Sequence, residues 1–327
     1  MKIITNEQIE NFCAFVSSHN FFFVVSHKEP DGDAIFSSLA MGELLKSKGK
    51  SCQLLSAGPF KRAEIRNWTD SFSTKAKEIS QDERKNAALI ILDCSEKSRF
   101  GEIEGNLDDF DTFIVDHHKT SQQTQNSIID PTSPATACIV QQLYEKTVGD
   151  LPNQVAKWLF TGLSTDTGYF RFLTEDSAEV FRQAARLVEA GANPRKTYDE
   201  ISGGRAFNTR KLLGVLLSRA ERKYNGKLIV TYETQKDSWA FGQDGRDSDA
   251  LYSLLLAVDG VEAVLFVRQD TETTCTAGLR SRDNVDVSTI AAKFGGGGHK
   301  NAAGLSTEGR VSEIVKAITL EFKNVFF

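Results

Sequence analysis

The sequence predicts an α/β protein, with an N-terminal parallel sheet flanked by helices and a smaller C-terminal α+β domain. Short apolar runs alternate with helix-patterned stretches through the first half, the order that builds βαβ units. Those runs close on acids or acid–histidine groups, as where a parallel sheet gathers a site along one edge. At 327 residues the chain is also long for a single core.

Thr5 or Asn6 caps a first helix reaching about His19. Phe21–Val25, aromatic and β-branched, reads as a buried strand that leads into His27-Lys28-Glu29-Pro30-Asp31-Gly32-Asp33. Residues 33–48 read as a helix with Ile35, Leu39, Leu44 and Leu45 inward, stopped by Gly49. Residues 51–56 suit a second strand, and the polar stretch 58–85 has no clear pattern. Ala87–Leu92 and 112–115 are the next strands, closed by Asp93 and by Asp116-His117-His118. Helices are expected over 135–146 and 153–163, then a turn through Asp166 and an extended segment over 169–172. A well-patterned helix over 177–190 stops at Gly191, and Pro194 opens a connecting helix that runs, with an interruption at Gly203-Gly204, to about Lys223. Strands are expected over 227–233, 261–268 and 273–281, with helical patterns at 248–258, 287–293 and from 311. The expected boundaries are 1–192 for the first domain, 193–222 for the connection and 223–327 for the second domain.

Composition narrows the class. Apolar residues at 40% and charged residues at 25% are ordinary for a soluble globular protein. A net charge of −5 argues against coating duplex DNA by bulk electrostatics, while a small nucleotide needs only a few local cations. The five cysteines, Cys13, Cys52, Cys94, Cys138 and Cys275, are odd in number and widely spaced, which suits a reduced, cytoplasmic compartment. No apolar segment precedes Glu7 and Glu10, and no run approaches membrane-spanning length, so neither secretion nor a membrane anchor is expected.

The groups expected at strand ends are His27, Asp31, Asp33, Asp93, Asp116, His117, His118 and Asp166. Asp31 and Asp33 flank Gly32, read as the pivot of a tight turn, and acids so close repel unless a cation or proton lies between them. Oxygen donors with a minority of imidazole suit manganese or magnesium better than structural zinc. The donors outnumber the needs of one ion; two ions sharing a carboxylate use them, activate water and clamp a phosphoryl group.

His27-x-x-x-Asp31-x-Asp33, the lone Asp93, Asp116-His117-His118 and Asp166 in Thr165-Asp166-Thr167-Gly168 resemble the four motifs of the DHH phosphoesterase family. Gly295-Gly296-Gly297-Gly298-His299 with Ala302-Ala303-Gly304 resembles the DHHA1 domain that accompanies it. The resemblance spans nearly the whole chain in the family's order. Length and layout resemble its compact nanoRNases that are also 3′-phosphoadenosine-5′-phosphate phosphatases, without the extra domains of RecJ-type exonucleases. The resemblance implies two Mn²⁺ ions, with Mg²⁺ or Co²⁺ as substitutes. His27 and Asp31 would bind the first ion, Asp33, His117 and Asp166 the second, and Asp93 both. It implies that Asp116 orients a neighbour and that His118 faces the phosphate as a hydrogen-bond or proton donor; with Asp93 these form the expected catalytic set.

The implied activity is hydrolysis of short oligoribonucleotides to mononucleotides, and removal of phosphate from 3′-phosphoadenosine-5′-phosphate, by a hydroxide activated between two metals. Cyclic-dinucleotide or linear-dinucleotide hydrolysis is the alternative. A non-catalytic nucleotide-binding protein is the alternative from another class, disfavoured because every expected ligand position is filled. Short single-stranded RNA or a nucleotide is the implied partner, and dimerisation with a second copy is common in the family. One departure is Phe36, where the family commonly has a small residue; it bears on packing and substrate fit, not on a ligand.

Four consecutive glycines cost backbone entropy, and the reading given to them is close approach of backbone amides to an anion rather than core packing. Arg280 with Ser281 matches the arginine–serine element that precedes this run in the family. The expected substrate-binding set is therefore Arg280, Gly296, Gly297, Gly298 and His299, facing the metals across a cleft between the domains. Tyr169, Phe170 and Phe172 either stack on a base or pack in the core.

Overall fold

A computed structural model describes residues 1–119, 123–282 and 284–327. The chain divides into two compact units, Met1–Gly204 and Arg205–Phe327. In the first, strands β1 (Phe21–Val25), β2 (Ser51–Leu55), β3 (Ala87–Leu92), β4 (Asp111–Asp116) and β5 (Ser127–Ile129) form a parallel sheet in the order β2-β1-β3-β4-β5. Its helices are α1 (Asn6–Ser18), α2 (Gly32–Ser47), α3 (Gln81–Arg84), α4 (Thr136–Thr147), α5 (Asn153–Asp166), α6 (Ala178–Glu189) and α7 (Pro194–Ser202). Alternate side chains of each strand serve opposite faces. Phe22, Val24, Ile90, Leu92 and Phe113 pack under the helices, while Phe23, Val25, Leu89 and Ile91 meet Phe100, Leu107 and Phe110 from an irregular covering segment. The expected α/β architecture is present, with one face covered by helices and the other chiefly by loops.

Register fixes where the strands stop. Val25 pairs with Ile91 and Leu92 with Val115, so the chain leaves β1, β3 and β4 at neighbouring points on one edge. Helix α2 starts there and is buried nearly all round. Ala40, Met41, Leu44 and Leu45 face the sheet, whereas Ile35 and Leu39, expected on the same stripe, pack with Phe36 and Ile65 in a separate cluster. Phe36 lies edge-on to Trp68 with ring centres 5.9 Å apart.

The second unit holds β6 (Glu221–Lys223), β7 (Leu228–Glu233), β8 (Ala263–Gln269), β9 (Thr274–Ser281), β10 (Gly297–His299) and β11 (Ala302–Glu308), in the order β10-β11-β9-β8-β7-β6. Only β7 and β8 run parallel. Its helices are α8 (Phe207–Ser218), α9 (Gln235–Phe241), α10 (Ser248–Leu256), α11 (Val287–Ala292), α12 (Val311–Glu321) and α13 (Lys323–Phe326). One sheet face packs Leu265, Val267, Leu279 and Leu305 against α11 and α12; the other packs Ile229, Val264 and Phe266 against Leu212, Leu216, Leu251 and Leu255 of α8 and α10.

The connecting helix expected from Pro194, with its interruption at Gly203-Gly204, is α7 and α8; it stops at Ser218, and 221–223, expected to belong to it, is strand. Gly204 adopts a left-handed φ of 68° and Gly203 lies against the Asp199 carbonyl, which ends α7. Among the described residues no helix is long and apolar enough to cross a membrane.

Candidate metal centre

Each strand end of the first unit delivers one piece of the site. After β1 the chain passes His27 and reaches Asp31, which caps α2 by accepting a hydrogen bond from the Ala34 N–H at 3.1 Å. Asp33 sits in the first turn of α2, fully buried. Gly32, between them, is not the pivot of a tight turn. It is the first residue of α2, and a Cβ there would meet the Thr165 side chain at 2.6 Å. Glycine is required because α5 passes so close, and the same approach brings Asp166 to the site. Asp166 is thus the last residue of a helix, not a strand-end group, which corrects the sequence expectation.

Asp93 follows β3 directly with a left-handed φ of 59°, unfavourable for a residue with a Cβ. Its carboxylate is 2% exposed and takes a histidine on each oxygen. His27 Nε2 lies 3.4 Å from Oδ2, and His117 Nε2 lies 3.3 Å from Oδ1. His117 Nε2 is also 3.3 Å from Asp166 Oδ2. The other ring nitrogens are committed: His27 Nδ1 donates to the Lys28 carbonyl at 2.8 Å and His117 Nδ1 to the Ser133 carbonyl at 3.3 Å. A carbonyl only accepts, so both rings carry their Nδ1 proton and turn Nε2 inward. A bare Nε2 facing a carboxylate at this distance needs a proton or a cation between them.

Two donor groups result. His27, Asp31 and Asp93 each bring a ligand atom within 4.8 Å of the others, and so do Asp33, His117 and Asp166. Asp93 also reaches His117 and His118 within that distance, so it joins the groups. The donors therefore fit one or two divalent cations. Phe36 lies outside both groups.

Electrostatics agrees with geometry. Burial drives the Asp33 and Asp166 carboxyls above the ordinary range, and neighbouring carboxylates push the same way. Burial would raise Asp93 too, but the hydrogen bonds with His117 and His27 outweigh it and hold that carboxyl low. Burial opposes charging of His117 and His27, yet Asp93 holds both above the usual imidazole value. Protons thus serve as the counter-charge for acids that a cation suits better.

His118 stands beside this centre. Its Nδ1 and backbone N–H both donate to Asp116 Oδ1, at 2.7 and 3.1 Å. Asp116 is fully buried while the His118 side chain is 36% exposed, so the ring is held from behind and open in front.

Sequence reading missed Thr136. Its backbone N–H donates to Asp33 Oδ2 at 2.6 Å, and Ala137 N–H donates to Oδ1 at 2.9 Å. Helix α4 has no cap of its own at Ala135, so Asp33 from α2 satisfies its first amides, an interaction worth about 1 kcal/mol in ordinary caps. The Thr136 hydroxyl also reaches Asp93. Nothing in one sequence separates such a threonine from any other at a helix start.

The residues expected to bind substrate lie in the second unit. Arg280 on β9 is in register with Ala302 on β11, which pairs with His299 on β10. The glycine run is partly strand β10. Contrary to the expectation of no packing role, a Cβ on Gly296 would collide with the Gly304 carbonyl and Leu305, and one on Gly298 would lie 2.5 Å from the Ala302 carbonyl. Gly297 has open space above it. Tyr169 and Phe170 are not extended: both have left-handed φ, 56° and 68°. The Tyr169 hydroxyl donates to the Pro194 carbonyl, and Phe170 stacks on Phe181, while Phe172 is 68% exposed.

Comparison with known proteins follows the same division. A model described as the DHH family, N-terminal domain, matches residues 22–163, and a DHHA1 domain model matches residues 209–324. The bifunctional oligoribonuclease and PAP phosphatase NrnA of Thermus thermophilus is 33% identical over 88% of this chain and 84% of its own length. The protein of the same name from Mycoplasma genitalium is 26% identical, over 89% of this chain and 91% of its own. A solved structure of an exopolyphosphatase-related protein from Bacteroides fragilis shares the fold, with a TM-score of 0.80 at 23% identity, covering 100% of this chain and 99% of that one.

Proposed function

This chain belongs to the DHH family, with a DHHA1 domain after the catalytic one, and as a phosphoesterase of that family we propose that it is a manganese-dependent hydrolase of short oligoribonucleotides and 3′-phosphoadenosine-5′-phosphate. The observation that carries this reading is the pair of donor groups joined at Asp93, with two imidazoles turned inward by carbonyl bonds on their outer nitrogens. His27, Asp31 and Asp93 would hold one ion and Asp33, His117 and Asp166 the other, with Asp93, which also touches His117, shared between them. Mostly carboxylate donors with a minority of imidazole suit manganese, with magnesium or cobalt as substitutes. When bound, such a pair supplies Lewis acidity that lowers the pKa of a water and offsets charge on a phosphoryl group.

The chain's own groups do the remaining work. Asp93 sets the spacing of the two groups from a left-handed backbone position with its carboxylate buried. Asp116 fixes the His118 ring through Nδ1, so His118 presents Nε2 to a phosphoryl oxygen or to the leaving 3′-linked oxygen. In the second unit Arg280 and His299 offer the cationic contacts for the rest of the nucleotide. The substrate class follows the named relatives, two of which are oligoribonucleases that are also PAP phosphatases.

The deciding assay is release of mononucleotide from a diribonucleotide, beside 3′-phosphoadenosine-5′-phosphate and a cyclic dinucleotide, with and without manganese. Manganese-dependent turnover of the first two is expected. Preferential cleavage of the cyclic compound transfers the assignment to cyclic-dinucleotide hydrolysis. No turnover of any of the three, with manganese bound, overturns the proposal.

A further inference from the structure

Just past Asp166 the backbone of the first unit takes a costly path. Gly168, Tyr169 and Phe170 are left-handed in succession, with φ of 55°, 56° and 68°. Residues that carry a Cβ visit this region singly rather than in runs, because the Cβ crowds the following carbonyl. The surroundings hold the run in place. Thr167, 1% exposed, accepts the Phe170 N–H on its hydroxyl at 3.0 Å and the Phe172 N–H on its carbonyl at 3.1 Å. The Tyr169 hydroxyl is bonded to Pro194, and its ring stands edge-on to Tyr198. Phe170 packs on Phe160 and Phe181.

The run leaves one aromatic ring in water. Tyr169 and Phe170 are half-buried, whereas Phe172 is exposed. The Phe172 ring is nevertheless seated: it lies against Gly168, where a Cβ would stand 2.5 Å from Cε2. Arg171 Nε donates to the Gly168 carbonyl at 2.9 Å, and its guanidinium stands 5.4 Å from the centre of the same ring. An exposed ring of this kind adds little burial to the fold, yet three strained residues precede it. Strain held in place beside a site residue marks a surface with a task. Gly168 is two residues from Asp166, so their Cα atoms lie at most roughly 7 Å apart.

Resting on the reading that the first unit cuts short oligoribonucleotides and 3′-phosphoadenosine-5′-phosphate, we propose that Phe172 is a stacking face for the base beyond the cut bond. In a diribonucleotide, hydroxide adds to phosphorus, the bond to the 3′ oxygen breaks, and the first nucleotide leaves with a 3′ hydroxyl. The phosphate stays on the second nucleotide, and it is the base of this second nucleotide that lies on Phe172. Stacking on an aromatic ring accepts every base, because each has a π face, which suits RNA of mixed sequence. In 3′-phosphoadenosine-5′-phosphate nothing but phosphate lies beyond the cut bond, so the ring has no base to hold. Phe172 therefore serves one substrate type and is idle for the other.

The test measures KM and kcat of the full chain with manganese, on diadenylate and on 3′-phosphoadenosine-5′-phosphate. Phe172→Leu keeps an apolar side chain and removes the ring; Phe172→Tyr keeps the ring. Phe172→Leu is expected to raise KM for diadenylate by about tenfold with kcat held, and to change KM for 3′-phosphoadenosine-5′-phosphate by less than about twofold. Phe172→Tyr is expected to match the parent on both. A second readout needs no turnover: 2-aminopurine riboside 5′-monophosphate loses fluorescence when its base stacks. The parent and Phe172→Tyr should quench it, and Phe172→Leu should bind it at least about tenfold more weakly. An unchanged KM for diadenylate in Phe172→Leu, an equal rise for both substrates, or quenching that Phe172→Leu leaves intact overturns the stacking role. The hydrolase reading fails separately: there the parent turns over neither substrate, and the quenching titration alone decides the role of Phe172.

Discussion

The Thr136 hydroxyl donates to Asp93 Oδ1 across 3.1 Å, from a residue 43 positions further along the chain. Through its backbone N–H the same threonine holds Asp33, so one helix start fixes a carboxylate in each donor group. Thr136→Val keeps the shape and removes the hydroxyl. Manganese affinity should fall by roughly 10- to 100-fold, the usual effect of losing an outer partner of a ligand. Titration calorimetry with manganese measures this directly, and Thr136→Ser should restore it. Full affinity in the valine variant would show that the bond is incidental.

Asp93→Ala removes the carboxylate of the first donor group that also touches His117 of the second. Turnover of a diribonucleotide should fall by about a thousandfold or more, with the thermal transition retained. Manganese binding measured by electron paramagnetic resonance should fall with it. A variant that keeps most of its activity refutes the shared-ligand role.

Gly32→Ala forces a methyl into Thr165 and should cost about 1–3 kcal/mol by overpacking. It should also push Asp166 away from His117 and weaken manganese binding. Thr165→Ala removes the two atoms that lie 2.6 Å from the new methyl, so the double variant should recover much of both losses. Additive losses in denaturant unfolding would place the strain elsewhere.

The metal-free protein should lose stability as pH rises. Asp166 is raised from 3.8 to about 9 by burial and neighbouring carboxylates, so its native state keeps a proton that the unfolded chain releases. His117 is raised from 6.5 to about 10 by Asp93 and the other acids, against the effect of burial, and its contribution is full below 6.5 and fades towards 10. Both slopes have the same sign. Asp93 has the opposite one, but its low value confines the effect to acid below its ordinary range. The midpoint of metal-free thermal unfolding should therefore drop by several degrees between about pH 6 and about pH 9. Saturating manganese should flatten the slope, because the cation takes the place of the protons. A metal-free midpoint independent of pH contradicts this account.

His299→Ala should raise KM for a diribonucleotide by about tenfold and leave manganese affinity unchanged, since His299 belongs to neither donor group. An unchanged KM removes His299 from substrate binding.

What could be read from sequence follows from how each residue is used. Phe21–Val25 and Ala87–Leu92 are buried on both faces and stand out as unbroken apolar runs. Histidine and aspartate placed directly after such runs announce a site, because fold alone has little use for them there. Asp166 was recognisable as a motif but not as a helix end, since Thr165-Asp166-Thr167-Gly168 suits a turn equally well. Ala302–Glu308 was not expected as a strand: its small and polar residues carry little β-propensity, and pairing with β9 holds it in place. Gly32 illustrates the wider limit. Its neighbours in the chain suggest a turn, but the reason for it is Thr165, and only three dimensions bring that residue close.

Because the centre draws on residues from His27 to Asp166, it matures late during synthesis. A nascent chain that has emerged only as far as α4 already carries His27, Asp31, Asp33, Asp93 and His117, with a surplus of negative charge and no closing helix. Metal capture before α5 arrives lacks the Asp166 carboxylate and is correspondingly weak. The order of ligands along the polypeptide therefore leaves the centre incomplete until α5 has been made and has packed beside α2.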